Sequence, residues 1–293
     1  MGDKRKKKFG DRLDGRRLRT LAAYLKLKPF IMKYKSGASN YFSDAIEITE
    51  VEKYLREKRK EGYLGMGMLH LFVAAYVRVI SQYPAINRFC SGQRMFARHD
   101  VEIIMVLKKK LSTESGEATL KLVFDRDATI VDVYNKLKSE IGDLKSESTL
   151  SSTDDIAVTL MKLPRLILKF AVGFLGFLDY FGKMPKSLVE ASPFHGSIMI
   201  TDLGSIGLPA IYHHLYDFGN LPAFIAIGAK RRVREMDADG VAVVKKYVDY
   251  KLVVDERICD GFMFSQAFKV FKELLKNPEK LDLSPDVVLY DID

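Results

Sequence analysis

The sequence predicts an α/β fold, and three stretches carry that prediction. Residues 250–277 read YKLVVDERICDGFMFSQAFKVFKELLKN. Lys251 to Val254 end a strand, after which Ala267, Phe268, Phe271, Leu274 and Leu275 recur at helical spacing with Lys269, Lys272, Glu273 and Lys276 opposite. Residues 39–49 alternate as a strand and run directly into the charged helix VEKYLREKRKEG. VEIIMVL after Arg98-His99-Asp100, and the apolar run that opens at Gly196, supply further strands.

Composition narrows the class. With 293 residues, 47% of them apolar, the chain can bury a sizeable core in one large domain or two. Cys90 and Cys259 are its two cysteines, too few for a disulfide framework or a zinc site, so no metal is expected. The N-terminus is charged and lacks the apolar stretch of a signal peptide, and Lys6 stands where a myristoylation motif needs Ser or Thr. A cytoplasmic setting is the default. The net charge of +9 is local: residues 1–35 hold 13 Lys/Arg against 3 Asp/Glu, so the remaining 258 sum to −1. The basic character belongs to the N-terminal stretch, where an arm over residues 1–13 is expected ahead of a domain over 14–293. Such an arm suits a solvated tail or weak contact with an anionic membrane. No aromatics interleave Lys4 to Lys8, so no specific nucleic acid is expected.

In chain order, residues 14–25 place Leu18, Leu21, Ala22 and Leu25 at helical spacing. In the strand over 39–49, Phe42, Ala45 or Ile46, and Ile48 point inward, and Thr49 caps the next helix. Residues 66–82 form a far more apolar core helix ended by Tyr83-Pro84, with His70 packed within it. VEIIMVL pairs with a return strand over 118–124 through a turn at 112–118. An amphipathic helix spans 132–141, and the Ser/Asp/Glu/Lys-rich residues 140–155 form a surface connection. Residues 163–182 are apolar all round from Phe170 to Leu178, yet Arg165, Lys169 and Asp179 leave only nine uninterrupted apolar residues against the ~20 a membrane span needs. A buried or acyl-lined helix is expected there, with a subunit contact or a membrane-surface helix as alternatives.

Two motifs carry a family resemblance. DERICDG, residues 255–261, resembles the D-H-R-x-x-D-G motif of the dihydrolipoamide acyltransferases of 2-oxoacid dehydrogenase complexes, and the H-H-x-x-x-D-G motif of chloramphenicol acetyltransferase. Six of its seven positions fit, and Glu256 stands where the family places its catalytic His. GSIMITDLG, residues 196–204, resembles the G-x-F-x-I-S-N-L-G segment, with Thr201 at the oxyanion-stabilising Ser/Thr and Asp202 replacing Asn or Ser. YPAINRF, the entry Arg98-His99-Asp100-Val101 and Arg17-Leu18-Arg19 fit less specific family patterns, so the likeness spans roughly residues 14–280.

The resemblance implies a two-layer, chloramphenicol acetyltransferase-like sandwich, a mixed sheet covered by helices. It implies a homotrimer with sites between subunits, acyl-coenzyme A as donor, an acyl acceptor the sequence does not name, and acyl groups other than amino-acyl. It also implies a free-standing catalytic domain, as in chloramphenicol acetyltransferase, without the lipoyl and subunit-binding domains of the dehydrogenase complexes. Glu256 and Thr201 are the expected catalytic residues, and an Arg from an opening helix, Arg19 before Arg17, is expected to pair with Asp260, which also caps the final helix. A free Glu titrates near ~4.3 and is a weak base unless its surroundings raise it. Two functions therefore stand: an acyltransferase using Glu256 or a relocated His among His195, His213 and His214, or a catalytically silent relative that binds acyl groups, coenzyme A or a protein partner.

Overall fold

A computed structural model describes residues 5–108, 117–146, 158 and 161–293. Six strands form a mixed sheet in the order β2-β9-β8-β7-β5-β6: β2 (Ser39–Glu47), β5 (Val101–Lys108), β6 (Glu117–Phe124), β7 (Ile198–Asp202), β8 (Ala223–Met236) and β9 (Ala242–Asp255). β7 runs parallel to β5 and β8, and the other neighbours are antiparallel. β1 (Gly15–Arg17), β3 (Arg88–Ser91) and β4 (Arg94–Arg98) form a small second sheet in the order β1-β4-β3.

Alternation along the strands creates two unlike faces. Ile103, Met105, Ile198, Ile200, Ile225, Ile227, Tyr250 and Val254 point to one side. There they pack beneath α2 (Thr49–Lys60), α3 (Met68–Gln82), α4 (Ile130–Ser146) and α7 (Gly261–Lys276), the expected helix layer. Phe72, Tyr250 and Phe271 meet edge to face at 5.3–6.0 Å in its centre. The opposite face carries Ile104, Met199, Phe224 and Val253, under Leu215 and Leu221 from an irregular loop instead of a helix. That uncovered side is where the site lies.

Several sequence expectations change. The opening stretch 14–25 is not a helix: Gly15–Arg17 pairs with β4, and α1 runs Ala23–Ile31. Gly15 lies so close to Phe89 that a Cβ there would sit 2.6 Å from the ring, and Leu18 and Leu21 reach the core from extended backbone. Ile46, not Ala45, is the buried residue of β2 beside Ile48. Thr49 is the first helical residue of α2 and not its cap. His70 is half-buried, tilted against Tyr134 at 5.5 Å and accepting the Gly67 N–H through Nδ1 at 3.2 Å. Of the turn expected over 112–118, residues 117–118 belong to β6 and the rest lie outside the described residues; of the connection expected over 140–155, residues 140–146 continue α4 and the rest lie outside the described residues.

The basic arm is tied down at its base. Arg12 is buried and pairs with Asp14 and Asp179, and Lys8 reaches Asp293 at 2.9 Å. α5 (Arg165–Tyr180) and α6 (Lys186–Ala191) precede β7 in the chain. The expectation of a buried α5 is overturned: Leu166 and Phe170 are 80% and 74% exposed, and within the helix only Asp179 is buried. Asp179 anchors the helix end, while the aromatic residues before it face outward.

Candidate active site

The DERICDG turn resolves its own charge cluster. Asp255 and Arg257 are both buried and form a two-pronged pair, Nε to Oδ1 at 2.8 Å and Nη2 to Oδ2 at 2.7 Å. Arg257 also donates to the Met32 carbonyl at 3.0 Å, fastening the turn to the end of α1. These contacts use the side chains on either side of Glu256, so Glu256 projects outward, 39% exposed. Its N–H donates to the Ala38 carbonyl at 2.8 Å. Lys28 of α1 donates to its carbonyl oxygen at 3.1 Å and stands 3.7 Å from its carboxylate.

Asp260 caps α7 as expected, accepting the Met263 N–H at 2.8 Å. The expected ion pair with Arg19 or Arg17 does not form within the chain. Arg19 pairs with Asp11 at 2.9 Å and donates to the Arg17 and Phe9 carbonyls, whereas Asp260 is exposed. Strand β1 replaces the opening helix, which aims Arg19 at the arm. The arginine that does reach the turn is Arg88, which donates to the Ile258 carbonyl and forms a bidentate pair with Asp291 at 2.6 Å. A charged residue opening the apolar strand Arg88–Ser91 was the available signal, but its partner comes from the C-terminal tail.

Thr201 sits at the end of β7 on the uncovered face, beside Val106, Ala226 and Lys251 in successive strands. It is half-buried, and its hydroxyl makes no hydrogen bond to another described residue. Ala226 keeps the space next to it small-walled, and Lys251 holds its ammonium 4.4 Å from the Tyr212 ring centroid. His213, next in that loop, stacks on Phe224 at 4.1 Å, one same-face step from Ala226. Its Nε2 is buried without a hydrogen-bond partner among the described residues. Burial first, and His214 second, push its pKa below the ordinary histidine value, so the ring is neutral near neutrality and able to accept a proton. Asp202 accepts the Ser205 N–H, and burial raises its carboxyl above the usual range. Gly204 closes the turn against Gly228, whose carbonyl would lie 2.6 Å from an added Cβ.

Within one chain Glu256 and Thr201 stay apart. Thr201 is level with Lys251, five residues before Glu256, a separation of roughly 16 Å along the strand direction at ~3.3 Å per residue. His195 is no free base: it is fully buried between Ser192 Oγ at 2.8 Å and Asp179 Oδ1 at 3.2 Å. Burial works to raise the Asp179 carboxyl, but His195 and Arg12 outweigh it and hold it below its ordinary value. Both thiols are structural, with burial pushing Cys90 up to about 11 and Cys259 up to about 12.

Residues 186–283, which include both motifs, match the profile of the 2-oxoacid dehydrogenases acyltransferase (catalytic domain) family. The chain resembles the 2-oxoacid dehydrogenase acyltransferases. Its fold is chloramphenicol acetyltransferase-like. A probable dihydrolipoamide acetyltransferase from Listeria monocytogenes 4b F2365 is similar at 14% identity and TM-score 0.56, covering 94% of this chain and 99% of that one. A chloramphenicol acetyltransferase is similar at 10% identity and TM-score 0.54, covering 89% and 100%. The truncated catalytic core of the 2-oxoacid dehydrogenase multienzyme complex from Thermoplasma acidophilum is similar at 13% identity and TM-score 0.52, covering 90% and 99%. No curated protein matches the sequence significantly. At these identities the structural likeness establishes the fold alone.

Proposed function

We propose that the chain is a coenzyme-A-dependent acyltransferase that works as a homotrimer, Glu256 of one subunit facing the neighbouring subunit's Thr201. The observation that carries this reading is the placement of the two residues. Glu256 is 39% exposed and Thr201 is half-buried with its hydroxyl unbonded among the described residues, yet they lie roughly 16 Å apart along the strand direction at ~3.3 Å per residue, so a second copy is needed to bring such a pair together. The Glu256 carboxylate accepts the proton of a thiol or hydroxyl acceptor as its sulfur or oxygen attacks the thioester carbonyl. The oxyanion that forms accepts a hydrogen bond from the Thr201 hydroxyl. Collapse expels the coenzyme A thiolate, which takes the proton back from Glu256.

Glu256 beside Lys28 supports a second reading. A carboxylate committed to a neighbouring ammonium suits a silent binder of acyl groups or coenzyme A. His213 supports the catalytic reading from the other side, as a neutral base near Thr201. The experiment that separates them follows thiol release from a panel of acyl-coenzyme A species with the purified protein. Release above the buffer rate with at least one donor is expected. Binding of coenzyme A with no release for any donor leaves the silent reading. Light scattering is expected to give three times the 33.3 kDa chain mass, and a monomer at micromolar concentration would sink the shared site.

A further inference from the structure

α5 presents a ladder of aromatic rings to solvent. Phe170 and Phe174 stack at 6.3 Å and Phe174 and Phe177 at 6.5 Å, and Phe181 is tilted against Phe177 at 4.9 Å. With Leu166, these side chains are 50–80% exposed. The ladder is rigidly mounted, because Asp179 at its end is held by Arg12 at 2.5 Å and by His195 at 3.2 Å. Lys162, Arg165, Lys169 and Lys183 flank it, none in an ion pair with another described residue. Asp179, the helix's own acid, is buried in its contacts.

Two more elements extend the same face. A groove of about 1000 Å³ joins Tyr180 and Phe181 to Lys7, Lys8, Phe9 and Arg94, and Phe9 is fully exposed. On the other side a cleft joins Gly176 and Tyr180 to Lys33 and Tyr34 at the end of α1. α1 in turn exposes Leu27, Phe30 and Ile31. Exposed apolar patches of this extent need a cover.

We infer that this face seats the protein on an anionic lipid bilayer, with α5 lying in the plane of the interface. The chemistry matches: aromatic and aliphatic side chains enter the acyl boundary while the flanking Lys and Arg meet lipid phosphates. α5 has 16 residues, about 24 Å, and no helix among the described residues is long and apolar enough to cross a membrane. A second copy is the poorer occupant, since two such faces oppose cation to cation with no exposed carboxylate on α5 to answer them. The inference is independent of the catalytic reading.

Vesicle flotation of the full chain tests it, comparing neutral phosphatidylcholine vesicles with vesicles of 70% phosphatidylcholine and 30% phosphatidylglycerol. The chain is expected to float at least tenfold better with the anionic vesicles, and 0.5 M salt is expected to reduce that binding. Arg165→Gln/Lys169→Gln is expected to weaken partition about 25-fold, each cation contributing about fivefold. Phe170→Glu/Phe174→Glu is expected to abolish it with melting temperature and oligomeric mass unchanged, because both rings are exposed. Absence of flotation, equal flotation with neutral vesicles, or flotation unchanged in the Phe double variant overturns the proposal. Loss of the oligomer in the Phe double variant overturns it in favour of a second copy of the chain.

Discussion

Lys28 reaches Glu256 twice, at its main-chain carbonyl (3.1 Å) and at its carboxylate (3.7 Å), so one buried ammonium sets the orientation of the outward carboxylate. If the carboxylate is the base, Glu256→Gln keeps the shape and removes proton acceptance. The expected result is a fall in kcat/KM of roughly 10²–10⁴ at unchanged melting temperature. Glu256→His supplies the imidazole that the family motif carries, and gain of thiol release from an inactive parent would show a preserved site around a changed base. Turnover that persists in Glu256→Gln rules out the carboxylate and moves the role to His213, since His195 is fully buried beside Ser192 and Asp179.

Thr201 is the second test of the same site. Its hydroxyl has no partner among the described residues, so Thr201→Val should leave the melting temperature within about 1 °C. Loss of one oxyanion donor is expected to lower kcat by roughly 10²–10³ with KM little changed. Thr201→Ser should retain most of the activity. A Val variant as active as the parent removes the hydroxyl from the mechanism.

The turn's stability rests on Asp255, not on Asp260. Asp255 and Arg257 are buried and bonded through two prongs, so Asp255→Ala leaves a buried guanidinium unpaired and is expected to cost about 3–5 kcal/mol. Asp260→Ala removes a helix cap from an exposed position, worth about 0.5–2 kcal/mol. Thermal melts of the two variants should therefore separate clearly. Equal losses would mean that Asp260 has a buried partner, contributed by a neighbouring subunit.

Much of this architecture was legible in the chain, for reasons that differ by residue. Strand β9, its turn and α7 were readable because apolar spacing switches from period two to helical period within a few residues, and Asp260 sits at the junction. The opening stretch misled because Leu18 and Leu21 fit a helix as well as an extended path. Only the pairing of Gly15 with Arg98 decides between them. Ion pairs were the least legible. Arg88 finds Asp291 across 203 residues, and Arg12 finds Asp179 across 167, separations at which local pattern says nothing. α5 was read as buried from its apolar composition, yet composition does not say which partner covers a helix. His213 was visible as a histidine near a strand; its stacking on Phe224 belongs to tertiary structure.

His70 makes the fold sensitive to mild acid. Burial in the first turn of α3 lowers its pKa to about 4, against an ordinary value of 6.5, and its Nδ1 accepts the Gly67 N–H. Between those two values the unfolded chain binds a proton that the folded chain refuses. Stability is therefore full above pH ~6.5 and falls as pH drops toward 4, by up to about 3.5 kcal/mol from this group at ~1.4 kcal/mol per pKa unit. His70→Gln, which retains an acceptor for the Gly67 N–H and cannot titrate, should flatten the stability curve between pH 6.5 and 4. Urea melts of parent and variant at pH 7.5, 6, 5 and 4 measure the difference directly. Parallel curves for the two proteins would take the sensitivity between pH 6.5 and 4 away from His70; Asp14 acts at lower pH still. Burial acts to raise that carboxyl, but Arg12 and Arg98 outweigh it and hold it well below the usual range, so its contribution is lost only below pH ~4.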